Sequence, residues 1–136
     1  MDRLPTKKIH FKSVARLNYE HLEDLISIDD GDSQVINDLI HIFEKIYHEK
    51  WLQIKMSARK MHLNALAREM HSFKVSCHNV GALRASVIAK EIHRLSCQAD
   101  TSTETLNQLI TDLEIEIAEA LAEIRDFINQ GSSNAA

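Results

Sequence analysis

The chain has 136 residues, with 3 glycines, 1 proline and a formal net charge of −4. This length suits one domain with a substantial core, and the scarcity of glycine, proline and aromatic residues favours an all-helical fold. The negative charge argues against a general nucleic-acid-binding protein.

The sequence shows no run that is typical of a signal peptide or long enough for a membrane span. Cys77 and Cys97 fall on apolar helix positions, which predicts two free, buried thiols in a reducing compartment. We therefore expect a cytoplasmic protein, and a monomer.

The N-terminal segment, residues 1–17, is basic, with five Lys or Arg residues and one acid, Asp2. Such a composition is typical of a partly disordered, solubilising extension. Docking to a partner or to a membrane surface is the alternative. The domain itself is predicted over 18–129, followed by a disordered tail over 130–136.

Apolar residues repeat every three to four positions through most of the chain, which predicts helices. The predicted helices span about 18–28, 33–59, 62–79, 82–98 and 103–129. Residues suited to N-caps precede the first, second and fifth helices, and a glycine suited to a left-handed C-cap follows the third. These residues are Asn18, Asp32 or Ser33, the run 101–104, and Gly81. Long helices with short connections predict an antiparallel, up-down four-helix bundle with a short additional N-terminal helix.

The third predicted helix has one apolar and one polar side when it is placed on a wheel of about 100° per residue. The apolar side is formed by Leu63, Leu66, Ala67, Met70, Phe73, Cys77 and Val80. The outer side carries a continuous stripe at spacings i, i+3, i+4 and i+7, formed by His71, Lys74, Val75 and His78. The outer surface is completed by Asn64, Arg68 and Ser72.

An exposed histidine at position 71 is mostly neutral near pH 7, because the ordinary pKa of imidazole is near 6.5. A lysine three residues further along disfavours its protonation. Neutral imidazole is a competent nucleophile, and the Lys74 ammonium can pair with the oxygens of a phosphoryl group on the ring. Taken alone, the two residues also fit an ordinary solvated helix face.

The spacing from His71 to Ala82 resembles a known signature. The run reads His71-x-Phe73-Lys74-x-Ser76-Cys77-x-x-Val80-Gly81-Ala82, and it is similar to the motif of histidine-containing phosphotransfer (HPt) domains. Further similarity to this family lies upstream, in residues 17–22, the Gly31-Asp32 turn, and residues 39–43 and 65–70.

The resemblance implies that His71 is a phosphoacceptor and that Lys74 is the cation facing the phosphate. It also implies a docking surface for receiver domains, formed by Asn64, Arg68, Ser72, Val75 and His78. The implied function is a relay of phosphoryl groups between receiver-domain aspartates and His71. The implied partners are response-regulator receiver domains, with a hybrid sensor histidine kinase as a further candidate.

No cofactor is expected in this chain, because the Mg²⁺ of the reaction would belong to the receiver domain. The sequence has no Gly-rich phosphate loop or nucleotide motif, so we expect no autokinase activity. A stripe on the second helix, His41, Glu44 and His48, lacks the Glu-x-x-His pairs of a carboxylate-bridged metal bundle. We therefore expect no metal site.

The sequence departs from the HPt pattern at three positions. Val75 stands where the family usually has glycine or another small residue, and Met61-His62 replaces the Gly-Asp turn before the third helix. His78 adds a second imidazole to the outer stripe. Val75 and the altered turn favour an alternative function, a non-catalytic adaptor that binds receiver or kinase domains without turning over phosphate.

Overall fold

The computed structural model describes residues 11–28 and 32–134. It contains a short 3-10 turn and helices α1 to α5, and these described ranges contain no strand. The elements are the turn Phe11–Ser13, α1 Tyr19–Ile28, α2 Gln34–Arg59, α3 Leu63–Asn79, α4 Leu83–Ser96 and α5 Thr103–Asn134. The all-helical prediction is therefore confirmed. Within the same ranges, none of the helices is both long and apolar enough to cross a membrane.

The four longer helices pack side by side around a common core. α2 contacts α3 and α5, α4 also contacts α3 and α5, and α1 packs on α2. All five helices contribute buried apolar side chains, and burial of each large one contributes about 1.5–3 kcal/mol. Among the most deeply buried are Leu22, Ile36, Ile54, Leu66, Met70, Ile92, Leu106, Leu113, Ile117 and Ile124. The chain is a helical bundle.

Gly81 closes the turn from α3 to α4, as predicted. Its φ of 81° lies in the left-handed region, which glycine adopts without steric cost. The Gly81 N–H donates to the carbonyl of His78, and the Ala82 N–H donates to that of Cys77, which together form a Schellman motif. A Cβ on Gly81 would lie 2.7 Å from Cδ2 of Leu22. This turn brings α4 directly against α3.

Two of the predicted N-caps are confirmed. The Asn18 side chain accepts a hydrogen bond from the backbone N–H of His21 at 3.1 Å. The Ser102 hydroxyl accepts one from the backbone N–H of Thr105 at 3.2 Å. Both caps satisfy an N–H that the first turn of a helix leaves without a partner.

The other three helix starts, those of α2, α3 and α4, lack such a bond. Ser33 precedes α2 at the predicted place, but its φ is 65° and its side chain makes no cap hydrogen bond. Residues 29–31, which include the predicted Gly31 turn, lie outside the described residues. His62 precedes α3 without a side-chain cap hydrogen bond, at the place where Met61-His62 replaces the Gly-Asp turn of the HPt pattern.

The helix ends differ from the prediction at two places. α4 ends at Ser96, so Cys97 follows the helix and is exposed, whereas Cys77 is buried. The prediction of two buried thiols is therefore wrong for Cys97. α5 continues to Asn134 and takes in most of the predicted tail, because helix propagation adds a backbone hydrogen bond per residue even beyond the last buried side chain. Residues 135–136 lie outside the described part of the chain.

The described end of the basic N-terminal segment packs on the bundle. Leu17 is 2% exposed, and the Arg84 side chain donates a hydrogen bond to the carbonyl of Val14 at 2.9 Å. Arg16 forms ion pairs of 2.6–2.8 Å with three carboxylates of α5, those of Glu116, Glu119 and Glu123. Residues 11–17 thus belong to the folded domain, whereas residues 1–10 of the predicted extension are not among those described.

Candidate functional site

The outer face of α3 carries the residues that the sequence analysis selected. Six of them are exposed: Asn64, Arg68, His71, Ser72, Val75 and His78. Lys74 is half-buried on the flank of the same face. The opposite face is buried through Leu66, Met70, Phe73 and Cys77. The helical period therefore places the predicted residues together on the solvent side of one helix.

An aromatic cluster fixes α3 against α2. The ring of Phe73 lies 5.6 Å from that of Phe43, 6.2 Å from that of Tyr47 and 5.7 Å from that of Trp51, measured between centroids. Aromatic pairs at these separations stabilise a packed interface beyond the area that they bury. Because Phe73 is held in this way, the outer face of α3 has a fixed direction relative to the bundle.

His93 of α4, which was not among the residues predicted from the sequence, contacts His71. The two ring centroids are 5.5 Å apart, and the ring planes meet at 50°. His93 is half-buried, and its pKa is lowered first by burial and then by Lys74 and His71. We call His71, Lys74 and His93 the histidine cluster.

A signal for His93 was present in the sequence. Gly81 lies ten residues after His71 and twelve residues before His93. A tight turn at such a point brings residues that are nearly equidistant from it to the same level of a helical hairpin. The predicted C-cap at Gly81 therefore indicates that His93 lies at the level of His71, but the side of α4 that faces α3 depends on how the two helices pack.

His78 pairs with a different histidine. Its ring stacks on that of His21 in α1, with centroids 5.8 Å apart and an interplanar angle of 25°. Nε2 of His21 lies 2.9 Å from the carbonyl oxygen of Asn79 and donates to it. The C-terminal end of α3 thus contacts α1 through His21, while His78 and Asn79 stay exposed. Two helical turns, about 10 Å, separate His78 from His71 along the helix.

The outer face of α3 carries two cationic side chains, Arg68 and Lys74, and the apolar side chain of Val75. The one acidic residue of α3, Glu69, pairs with Lys50 of α2 at 3.7 Å. Val75 is 49% exposed. Ser76, which matches the motif serine, donates a hydrogen bond to the Ser72 carbonyl at 3.4 Å, so its contact lies within the helix.

Among the described residues, no three His, Cys, Asp or Glu side chains lie close enough together to hold a metal ion. Glu44, from the predicted stripe on α2, forms an ion pair with Arg125 of α5. An open groove lies between α2 and α5, away from the histidine cluster, and is lined by Lys55, Arg59, Asn107, Ile110, Thr111 and Glu114.

Comparisons with protein families, with curated proteins and with solved structures return no match for this chain. Its function is therefore inferred from its residues and their geometry. The histidine cluster combines an exposed nucleophile with a lysine and a second imidazole on rigid supports. Such a combination suits attachment of an anionic group to a ring nitrogen.

Proposed function

We propose that this protein is a phosphoryl-group carrier of the HPt type and that His71 is its phosphoacceptor. The observation that carries the proposal is the exposed His71 imidazole on a packed helix, with Lys74 on the same side and His93 against its ring. Phosphoryl transfer depends mainly on positioning and on stabilising the charge of the transferred group. The sequence resemblance from His71 to Ala82 supports the same assignment.

In the proposed mechanism, a receiver domain bearing an aspartyl phosphate docks on the outer face of α3. The lone pair of a neutral His71 ring nitrogen attacks phosphorus in line, and the N–P bond forms while the P–O bond to the aspartate carboxylate breaks. The Lys74 ammonium offsets charge on the phosphoryl oxygens. The receiver would hold the Mg²⁺. The reverse reaction passes the group to the aspartate of a second receiver.

The helix contacts support an up-down, antiparallel arrangement for this carrier. Lys55 of α2 pairs with Glu114 of α5, and Glu44 pairs with Arg125. Rising residue numbers on α2 therefore meet falling numbers on α5. We propose that the protein acts as a cytoplasmic monomer on response-regulator receivers and on a hybrid sensor histidine kinase.

A second function, a non-catalytic adaptor, is favoured by Val75. Its branched side chain is 49% exposed and stands four residues after His71, on the same stripe. The loops of a docked receiver would have to close over this side chain to reach the His71 ring. An adaptor would keep the docking face and bind the receiver without accepting its phosphoryl group.

A receiver domain carrying a radiolabelled phosphoryl group distinguishes the two functions. If the protein is a carrier, label moves to the wild type, and His71→Gln gains none. His41→Gln is the matched control, because it removes an exposed imidazole from α2, and it should be labelled like the wild type. Receiver binding without labelling of any of these proteins would favour the adaptor. Equal labelling of His71→Gln would reject His71 as the acceptor.

A further inference from the structure

The mechanism above leaves His93 without a role. Its ring lies against that of His71, with the centroids 5.5 Å apart. Three side chains of α4, Ala85, Ala89 and Ile92, are fully buried in the core of the bundle. Since α4 is held in this way, the distance between the two imidazoles is set by helix packing and not by a mobile loop.

The charges that act on His93 from α3 are unfavourable to its protonated form. Besides burial, Lys74 and His71 both lower the pKa of this imidazole. On α4 itself, the carboxylate of Glu91 is engaged by Arg94 at 2.6 Å. Without a phosphoryl group, these surroundings therefore favour the neutral form of the His93 ring.

The other elements that contact α4 are α5 and the Phe11–Ser13 turn. From α5, the carboxylate of Glu116 forms ion pairs with Arg84 of α4 and with Arg16. The turn contributes a further cation, Lys12. Among the described residues, no carboxylate forms an ion pair with His93.

We propose that His93 takes up a proton when His71 is phosphorylated and thereby couples the phosphorylation equilibrium to pH. This inference rests on the proposed function, because it requires a phosphoryl group on His71. Such a group adds about 1.5 to 2 negative charges near neutral pH. This charge would sit on the ring that lies against His93, and an anion within about 4–6 Å favours the protonated form of histidine.

Proton uptake by only one of two states shifts the equilibrium between them. The phosphorylated form would bind one more proton at His93 than the unphosphorylated form. Lowering the pH therefore favours phospho-His71 over the aspartyl phosphate of the receiver. A rise of one unit in the pKa of His93 corresponds to a shift of up to about tenfold in this equilibrium.

The first test is an NMR titration of the His93 ring before and after treatment of the whole protein with phosphoramidate. This small donor phosphorylates histidine without a receiver: its P–N bond breaks, an N–P bond forms on the ring, and ammonia leaves with the ring proton. We expect the pKa of His93 to rise by about one unit or more, and that of His41 to stay unchanged.

An unchanged pKa of His93, or a chain that gains no phosphohistidine at position 71, would overturn the inference. An equal rise in His71→Gln would also overturn it, because the charge would then come from another residue. Failure of the proposed function would look different: phosphoramidate would still raise the pKa of His93, but no receiver would transfer its phosphoryl group to His71.

The second test compares the equilibrium with a phosphorylated receiver at about pH 6 and about pH 7.5, the range in which histidine titrates. The wild type should shift several-fold towards phospho-His71 at the lower pH, and His93→Gln should shift less. His93→Lys keeps a cation at both pH values, so it should favour phospho-His71 at both and also show the smaller shift. If His93 had only a structural role, its substitution would change the yield of phospho-His71 but not the pH dependence of that yield. Equal pH dependence in all three proteins would overturn the inference.

Discussion

Val75 is an exposed, branched residue on the same stripe as His71. We expect Val75→Gly to accelerate phosphoryl transfer to His71, because it removes side-chain volume from the surface that a receiver must cover. Glycine within a helix also lowers its stability by about 1 kcal/mol relative to alanine. Val75→Ala is therefore the matched variant, since it trims the side chain in a good helix former. The measurement is the single-turnover rate from a labelled receiver.

Both variants should transfer faster than the wild type if Val75 obstructs the receiver. A slower rate in Val75→Ala, together with weaker receiver binding, would show instead that Val75 is an apolar contact for the partner. An unchanged rate in both variants would reject either role.

The two cysteines should differ in reactivity. Burial raises the pKa of the Cys77 thiol, whereas Cys97 is exposed beyond the end of α4. The thiolate is the reactive species, so we expect one fast-reacting thiol under native conditions and a second only after unfolding. A chromogenic disulfide reagent at mildly alkaline pH measures both. Cys97→Ser should abolish the fast phase, and a fast phase that persists in this variant would contradict the assignment.

At the level of single residues, the sequence predicted which residues share the outer face of α3. It did not predict that His93 of α4 lies against this face. A helical period determines which side chains of one helix share a side, so His71, Lys74 and Val75 could be grouped from the sequence alone. His93 belongs to another helix, and its contact with His71 depends on how the two helices pack. Periodicity within a single helix contains no information about that packing.

The hairpin formed by α3 and α4 depends on Gly81. Gly81→Ala should lower the free energy of unfolding by about 1–2 kcal/mol, because a residue with a Cβ is strained in the left-handed region. The loss should be larger still because the new Cβ would lie 2.7 Å from Cδ2 of Leu22. Urea denaturation measures the change.

The Leu22→Ala background separates the two contributions. Leu22→Ala alone should cost about 2–5 kcal/mol, as is typical of a buried leucine. In that background, Gly81→Ala should lose the steric part of its penalty and keep the part that comes from its φ. If Gly81→Ala lowers the free energy of unfolding equally in the wild type and in Leu22→Ala, the Leu22 side chain moves away from the new Cβ without an energetic cost.

The positions of the helices could be predicted better than their ends. Each helix has an apolar stripe in the sequence, and all five predictions correspond to helices of the structure. The ends at Ser96 and Asn134 depend on local backbone hydrogen bonds, which do not require an apolar residue. Cys97 fits the apolar stripe of α4, so the sequence predicts it inside that helix, although α4 ends at Ser96.

Across the molecule, Arg16 connects the N-terminal segment to α5. Hydrogen bonds first to Glu116 and then to Glu123 raise the pKa of its guanidinium, and the carboxylate of Glu116 is almost fully buried. In the sequence, Arg16 is one of the five basic residues of the predicted extension. Its partners lie about 100 residues further along the chain, and charge composition alone does not identify such pairs.

Arg16→Ala should destabilise the bundle by about 1–3 kcal/mol, because it leaves a buried carboxylate with fewer charged partners. Lys12→Ala is the matched control from the same segment, and its exposed side chain should contribute less than about 0.5 kcal/mol. Thermal and urea unfolding measure both. Equal stability of the two variants would contradict a role of Arg16 in holding residues 11–17 to the bundle.

The most direct measurement of the proposed function is the position of the phosphoryl group itself. After incubation with a phosphorylated receiver, the protein is digested near neutral pH, and tandem mass spectrometry locates phosphohistidine among its eight histidines. We expect phosphohistidine at His71 and at no other position. A phosphoryl group at His78 or His93 instead, or a chain that binds the receiver and remains unmodified, would contradict the assignment of His71 as the phosphoacceptor.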